Sequence, residues 1–489
     1  MIENNPLTIR NEAVQVDLST GRMPDRYVYE FQMLIREFLP FASFQDPGPQ
    51  AIHILAESDH AELVRGDVHL RKEYDQEDPG LTGDPLKNHV KKAIYELLTE
   101  YNGIHVPWGI LTGVRPTKIA YAALDQGKSE NQIMDTLVRS FCLSREKASL
   151  MTETARHERQ ILSGYDGKDV SIYVGIPFCP TRCAYCSFVS YDYSRYGQLS
   201  EDYLDALIHE IEVCQPMIAG RRLQSFYMGG GTPTVLSAGQ LERLILSIQK
   251  AFGENVFKEW TVEGGRPDTI TKEKLNVLQQ LGIRRISINP QTLNQKTLDR
   301  VGRRHTVEQI YEAYDLAREV GFDTINMDFI LGLPGEGVEE VERSMEGVLR
   351  LKPENLTIHT LAIKRSSALN QEGTGSDLAQ QGPLISRMLE VTQSTAQALG
   401  LSPYYMYRQK NMAGNFENVG YSLPGHECTY NIEIMEERQS ILAFGAGAVS
   451  KIYYPDENRL ERVPNVKNVT DYIERVDEMI ERKRRELGV

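Results

Sequence analysis

The stretch Gly175-Ile-Pro-Phe-Cys-Pro-Thr-Arg-Cys-Ala-Tyr-Cys186 decides how this chain is read. It gathers three of the six cysteines, Cys179, Cys183 and Cys186, in the spacing C-x3-C-x2-C. Thiolates are soft ligands that suit iron–sulfur clusters, copper(I) and zinc. A cubane [4Fe-4S] cluster takes four thiolates, so three leave one iron open to a small-molecule ligand. Structural zinc is usually held by paired C-x2-C halves, and the sequence has no second half. On spacing alone, zinc and inert packing stay open as plainer alternatives. The run before the cysteines, Val170-Ser-Ile-Tyr-Val-Gly-Ile176, reads as a strand closed by Pro177. The thiols therefore sit on a loop leaving a strand end.

Outward from this loop, residues 166–365 alternate short β-rich runs with longer helical ones. Strands are expected at 170–176, 223–228, 257–263, 284–289, 323–331 and 355–362. Six βα-type units in succession imply a parallel sheet curled into a barrel or partial barrel. In such folds reactive groups collect at the carboxyl ends of the strands. Each expected strand ends in a polar or glycine-rich feature. After the cysteine loop come Gly229-Gly-Gly-Thr-Pro233, Glu263 with Gly264-Gly265, Asn289-Pro-Gln291, Asp328 among apolar neighbours, and His359-Thr-Leu-Ala362. Consecutive glycines let backbone approach a ligand closely. Glu263 and Asp328 either pair with internal arginines or face a cationic ligand. Arg303 and Arg304 offer a planar fork to a carboxylate, or form a solvated pair at a helix end.

The flanks differ. Residues 1–165 read as an α+β unit, with strands at 7–16, 51–55 and 61–70 and an amphipathic helix at 27–38. After 366 the pattern is irregular: a helix at 383–399, then Tyr404-Tyr-Met-Tyr-Arg-Gln-Lys410, the glycine-rich Gly445-Ala-Gly-Ala-Val-Ser-Lys451, and a charged helix at 469–487. Aromatic rings interspersed with cations suit either a flat macrocycle with carboxylate arms or an ordinary core. The 489 residues carry a net charge of −14, which argues against a general nucleic-acid surface. The sequence shows no secretory pattern and no apolar run of bilayer-spanning length. Few cysteines, half of them clustered, suit a reducing compartment, so a cytoplasmic location is expected.

With Tyr185 directly before Cys186, the motif resembles the signature of the radical S-adenosylmethionine (SAM) superfamily. Tyr173-Val-x-Ile-Pro-Phe-Cys179, Gly229-Gly-Gly-Thr-Pro-Thr234, Ile325-Asn-x-Asp328 and Gly332-Leu-Pro334 are similar to the oxygen-independent coproporphyrinogen III oxidase group. The stretch Pro107-Trp-Gly-Ile-Leu-Thr-Gly-Val-Arg-Pro-Thr-Lys118 resembles its HemZ-type branch. The resemblance implies an α/β fold: a partial (β/α)6 barrel over 166–365, an N-terminal α+β domain over 1–165, and a C-terminal α/β extension over 366–489 that covers substrate. It implies a [4Fe-4S] cluster on Cys179, Cys183 and Cys186, with Tyr173 and Tyr185 against cluster or SAM. Gly230, Gly231 and Thr232 would bind the methionyl end of SAM. Glu263, Gln291, Arg303 and Asp328 would hold the rest, and Ala362 and Val449 would contribute backbone.

The implied reaction is oxidative decarboxylation of coproporphyrinogen III to protoporphyrinogen IX, with electrons from a donor such as flavodoxin or ferredoxin. Arg304, Lys364, Arg365, Arg408 and Lys410 are candidates for gripping the propionates. Three positions depart from the pattern. Gly175 stands where the oxidases have histidine, and Phe188 where they have a further cysteine. Tyr430 stands where a sister group of haem chaperones has histidine. Haem trafficking, or methylation or opening of a porphyrin ring, are the competing expectations.

Overall fold

The computed structural model describes residues 13–21, 23–74, 84–362, 367, 381–409 and 415–489. The chain divides into two compact units. One comprises Met1–His157, Ser376–Pro383 and Met406–Glu417; the other comprises Glu158–Gly375, Leu384–Tyr405 and Asn418–Val489. Most of the expected third region thus lies in the second unit.

In the first unit, β1 (Val16–Ser19), β2 (Ile52–Ala56), β3 (His60–Arg65) and β4 (Val68–Glu73) form a sheet in that order. β1 and β2 run parallel and the other neighbours antiparallel. In β2, buried Ile52, Ile54 and Ala56 alternate with less buried His53 and Leu55, the period of a half-buried strand. The single strand expected at 61–70 is a hairpin instead. Its chain reverses at Gly66-Asp67, with Gly66 at φ 56°, a conformation that favours glycine. The helix Asp25–Phe38 buries Phe31, Leu34, Ile35 and Phe38. A second helix, Pro85–Asn102, begins where Asp84 accepts from the Lys87 N–H and stops at Gly103, φ 69°.

The second unit holds β5 (Asp169–Ile176), β6 (Phe178–Cys179), β7 (Tyr191–Asp192), β8 (Arg222–Gly230), β9 (Glu259–Gly265), β10 (Arg285–Ile288), β11 (Thr324–Leu331) and β12 (Asn355–Thr360). After these come β13 (Ser402–Arg408), whose last three residues belong to the first unit, β14 (Glu417–Ser422), which enters the second unit at Asn418, β15 (Ser440–Phe444), β16 (Val449–Tyr454) and β17 (Arg459–Pro464). Its main sheet runs β13-β14-β12-β11-β10-β9-β8-β5-β15-β16-β17. The six expected strands lie side by side, parallel and in chain order. β14 joins β12 antiparallel, and β15 adds a seventh parallel strand beside β5. The sheet ends at β13 and β17, so the barrel is partial and open.

Apolar residues of these strands alternate with polar ones. Ile172, Val174, Phe226, Met228, Val262, Ile286, Met327 and Phe329 are buried. Burying each such side chain contributes roughly 1.5–3 kcal/mol. On the opposite face, register aligns Tyr173 with Tyr227, Tyr227 with Thr261, and Thr261 with Arg285. The next layer aligns Glu263 with Ser287, Ser287 with Asn326, and Asn326 with Asn355. This inner face is polar because the layer of helices covers the other one. The helix Ala238–Phe252, for example, starts in a capping box at Ser237 and buries Leu241, Leu244, Ile245 and Ile248.

The expected terminal helix breaks at Arg475 into Val469–Glu474 and Val476–Leu487. Its face docks through buried Tyr472, Met479, Ile480 and Lys483. The Lys483 ammonium lies 2.7 Å from Glu210 Oε1, both side chains fully buried. Glu210, on the helix Ser200–Cys214, also accepts from Tyr472 Oη (2.6 Å), Asn465 Nδ2 (2.9 Å) and the Gly445 N–H (3.0 Å). Among the described residues, no helix is long and apolar enough to cross a membrane.

Candidate functional site

Pro177 interrupts the first parallel strand, and the chain re-pairs briefly as β6 with β7 to enclose the cysteine loop. The Tyr191 N–H donates to Pro177 O (2.7 Å) and the Cys186 N–H to Cys183 O (3.0 Å). The Ala184 N–H reaches Val301 O (3.0 Å), and Thr181 Oγ1 donates to Gly302 O (3.0 Å). These bonds fix the loop against the turn that carries Arg303. All three cysteines are unpaired and partly buried. Burial pushes the Cys179 thiol up to about 12, partly offset by Thr232, and raises Cys186 as well. Binding a metal centre here therefore has to displace protons from the sulfurs.

The Gly229–Thr232 loop closes over these thiols. The Gly231 N–H donates to Ile176 O (2.7 Å) and the Thr232 N–H to Phe178 O (2.8 Å), while Thr232 Oγ1 lies 3.5 Å from Cys179 Sγ. A Cβ at Gly231 would sit 2.5 Å from Phe178 O and 2.9 Å from Cys179 Sγ, so only glycine fits. At Gly229 a Cβ would come within 2.9 Å of the Glu263 carboxyl.

On the inner face, Tyr227 Oη donates to Glu263 Oε1 at 2.5 Å. Burial pushes Glu263 up to about 7; the Tyr227 bond opposes this and the charge of Asp328 adds to it. Asp328 accepts from Asn326 Nδ2 (2.7 Å) and lies 3.8 Å from His359 Nε2. Gln291, at φ 70°, is pinned by its N–H to Asp328 O (2.9 Å) and its carbonyl to the Ile330 N–H (3.0 Å). Its Oε1 is buried with no hydrogen-bond partner. Arg303 donates to Tyr185 Oη (3.0 Å) and to Asn289 O, and its Nε is likewise unpartnered. Three near-parallel rings line the same face: Tyr173 to Tyr227 at 6.4 Å, Tyr173 to Tyr430 at 5.9 Å, and Tyr227 to Tyr430 at 4.5 Å between centroids.

The structure thus brings together Cys179 with Thr232, Tyr185 with Arg303, Tyr173 with Tyr227 and Glu263, and Gln291 with Asp328. Gly230, at φ 107°, ends β8 beside Ile176. Ala362 is half-buried just past β12, and Val449 is 40% exposed at the head of β16. Arg304 is exposed beside the cysteine loop. Lys364, Arg365 and Lys410 lie outside the described residues. Arg408 needs correction: it is buried in the first unit, donating to Leu111 O, Glu37 Oε1 (3.2 Å) and Asn415 O (2.6 Å). A guanidinium committed to these acceptors is not free to grip a propionate.

Two supports escaped sequence reasoning. Arg266, buried and held by both oxygens of Asp268 (2.9 and 2.6 Å), donates to Thr181 Oγ1 at 2.5 Å and steadies the cysteine loop. Tyr430 completes the ring stack. Neither has a local signal, since the contacts join residues far apart in the chain.

The donor set fits a cluster with one open iron. Cys179, Cys183 and Cys186 are three free, partly buried thiols on one loop, the number that leaves one iron of a cubane open. The buried, unpartnered Gln291 Oε1 asks for a donor that the protein does not supply, as a bound small molecule with an ammonium or hydroxyl group would.

A family model described as the Radical SAM superfamily matches residues 173–348. The oxygen-independent coproporphyrinogen-III oxidase-like protein HemZ of Bacillus subtilis (strain 168) is 42% identical over 405 residues, 81% of this chain and 80% of HemZ. The heme chaperone HemW of Lactococcus lactis subsp. lactis (strain IL1403) is 31% identical over 314 residues, 63% of this chain and 78% of HemW. Among solved structures, coproporphyrinogen III oxidase (HemN) from Escherichia coli, described as a radical SAM enzyme, superposes with a TM-score of 0.50. It is 24% identical, covers 67% of this chain and 73% of its own, and bears on the fold.

Proposed function

The chain belongs to the radical SAM superfamily, in the group of oxygen-independent coproporphyrinogen-III oxidase-like proteins, and from that premise we propose that it decarboxylates two propionates of coproporphyrinogen III to the vinyl groups of protoporphyrinogen IX. Membership brings with it a [4Fe-4S] cluster and SAM as cofactors. When bound, they would supply hydrogen-atom abstraction at the propionate β-carbon, the hydrogen going to the deoxyadenosyl group; loss of CO2, with one electron passing to a separate one-electron acceptor, leaves the vinyl group.

The chain's own residues hold and orient. Cys179, Cys183 and Cys186 would ligate the cluster, and Gly231, by lacking a side chain, lets its loop pack against Cys179. Glu263 and Asp328 would serve the sulfonium cation and ribose hydroxyls, Gln291 Oε1 would accept from the same ligand, and Arg303 fixes Tyr185 beside Cys186. Arg304, Lys364, Arg365 and Lys410 remain the candidate propionate contacts, and an external one-electron carrier feeds the cluster. The observation that carries this reading is the under-satisfied inner face, where Gln291 Oε1 and a carboxyl raised to about 7 stand beside a three-thiol loop.

Haem carriage is the second reading, favoured by Gly175 and Phe188, which depart from the oxidase pattern. Two contacts weigh against it. Tyr430 replaces the chaperones' histidine and is packed in the ring stack, and His426 Nδ1 is bonded to Thr324 Oγ1 at 2.7 Å. Anaerobic reconstitution with SAM, a reductant and coproporphyrinogen III tests the choice. The expected result is CO2, 5′-deoxyadenosine and a product that has lost two carboxyl groups. Deoxyadenosine without decarboxylation removes this substrate. Stoichiometric haem binding with no deoxyadenosine above background selects carriage, and a gain of methyl mass selects a methyltransferase.

A further inference from the structure

The solvent side of the cysteine loop is chemically unlike the rest of this acidic protein. Phe188, two residues beyond Cys186, is 67% exposed, the most exposed large hydrophobic side chain among the described residues. Its neighbour Val189 lies against Gly447, where an added Cβ would meet Val189 Cγ2 at 3.0 Å. Two residues on stands Val449, 40% exposed, so the apolar surface continues from one loop to the other.

The loop, the short helix Tyr193–Tyr196 after it and the turn beside it carry cations. Arg182, Arg195 and Arg304 are all exposed. The backbone of Arg182 adjoins the turn before Arg304, with Arg182 O 3.7 Å from a Cβ placed at Gly302. Asp192 lies within the field of both Arg195 and Arg304: its carboxyl is held low first by the Ser194 hydroxyl, and also by the charges of both arginines. Lys467, exposed as well, accepts through its backbone carbonyl from Tyr191 Oη at 3.3 Å. Segments 178–198 and 298–306 together hold five arginines against two aspartates, in a chain of net charge −14. An apolar centre with a charged rim is the anatomy of a docking surface.

Its position says what docks there. Arg182 is directly bonded to Cys183 in the chain, and Phe188 is at most about 7 Å of extended chain from Cys186. A partner resting on these two side chains touches the loop that carries the three thiols. We propose that Phe188, with the rim of Arg182, Arg195 and Arg304, is the docking surface for a small electron-carrier protein whose redox group is surrounded by acidic residues. The inference rests on the cluster assignment above. One electron leaves the carrier and enters the cluster; the carrier is oxidised, the cluster reduced, and no bond forms or breaks. Encounter is steered by charge and weakens with salt.

The test compares two reductants on the reconstituted protein: an acidic flavodoxin and dithionite. The readouts are the flavodoxin dissociation constant and the rate at which cluster absorbance bleaches. In Arg182→Glu/Arg195→Glu, flavodoxin binding and flavodoxin-driven bleaching at low salt should each fall tenfold or more and lose their salt dependence. Bleaching by dithionite should stay within twofold. Phe188→Ser, which leaves the charges intact, should weaken flavodoxin binding without changing its salt dependence. Unchanged flavodoxin binding in both variants overturns the proposal, as does an equal loss with both reductants, which would mean that the loop itself is damaged. If the wild-type protein holds no reducible cluster, the functional reading fails first and takes this inference with it.

Discussion

Glu210 and Glu263 are carboxylates of the same unit, on the helix Ser200–Cys214 and on β9, and the protein serves them in opposite ways. Glu210 has four donors, one of them the Lys483 ammonium, and no solvent exposure. Glu263 has the Tyr227 hydroxyl, the nearby charge of Asp328, and a carboxyl raised to about 7. Around Glu210 every described polar partner is matched. Around Glu263 the buried Oε1 of Gln291 and Nε of Arg303 are unpartnered. A buried polar group left short of partners costs stability, so a protein keeps such groups where something else will complete them. Around Glu210 satisfaction is that of scaffold; around Glu263 the shortfall lies beside the three-thiol loop, where a ligand would complete it.

Breaking each side of this contrast should give different failures. The largest effect is expected from Cys183→Ala, which should abolish cluster absorbance and all deoxyadenosine formation while far-ultraviolet circular dichroism is unchanged. Next comes Lys483→Met. Stranding a buried carboxylate costs about 3–5 kcal/mol, read by chemical denaturation, and Glu210→Gln in the same chain, which removes the stranded charge and keeps an acceptor for Tyr472 and Gly445, should recover most of it. That recovery is what a purely structural ion pair predicts; persistence of the defect would break the comparison.

The third effect concerns pH. Glu263 and the buried Glu433 both have carboxyls raised to about 7, chiefly by burial. The folded state retains protons that the unfolded chain gives up near the ordinary carboxylate value. Each of these two groups therefore contributes stability to the ligand-free protein that is fully present below the ordinary carboxylate value and is lost as pH rises through about 7, on the order of 3 kcal/mol per group. Glu263→Gln should flatten part of that slope, and SAM affinity should rise over the same interval as the carboxylate ionises. An unaltered slope in the variant would remove Glu263 from the account. The smallest effect is expected from Gln291→Ala: SAM affinity about tenfold weaker, roughly 1.4 kcal/mol, with stability changed by less than about 0.5 kcal/mol.

The parallel series was legible in the sequence because each strand is a short apolar run punctuated by glycine, proline or an acid, and these are local signals. Cys179, Cys183 and Cys186 declared themselves by spacing. What lay beyond reach is what only tertiary structure decides. Ile441–Phe444 reads as an apolar run before a glycine turn, yet nothing local says that it pairs parallel to β5. The hairpin at Gly66-Asp67 was hidden inside one alternating pattern, and the break at Arg475 inside one amphipathic one. Arg408 looked like a ligand-binding cation because aromatic–cationic composition is the same in a core and in a pocket. Its acceptors at Leu111 and Glu37 are some 300 residues away or more.

The strand Ser440–Phe444 also sets a schedule for biogenesis. On the ribosome the cysteine loop emerges long before its flanking strand, and until that strand has been made the edge of β5 lies bare and Gly175, at the head of the loop, lacks its neighbour Gly445. Metal delivery during synthesis would meet a half-built receptacle, so iron loading is expected after translation has passed that point.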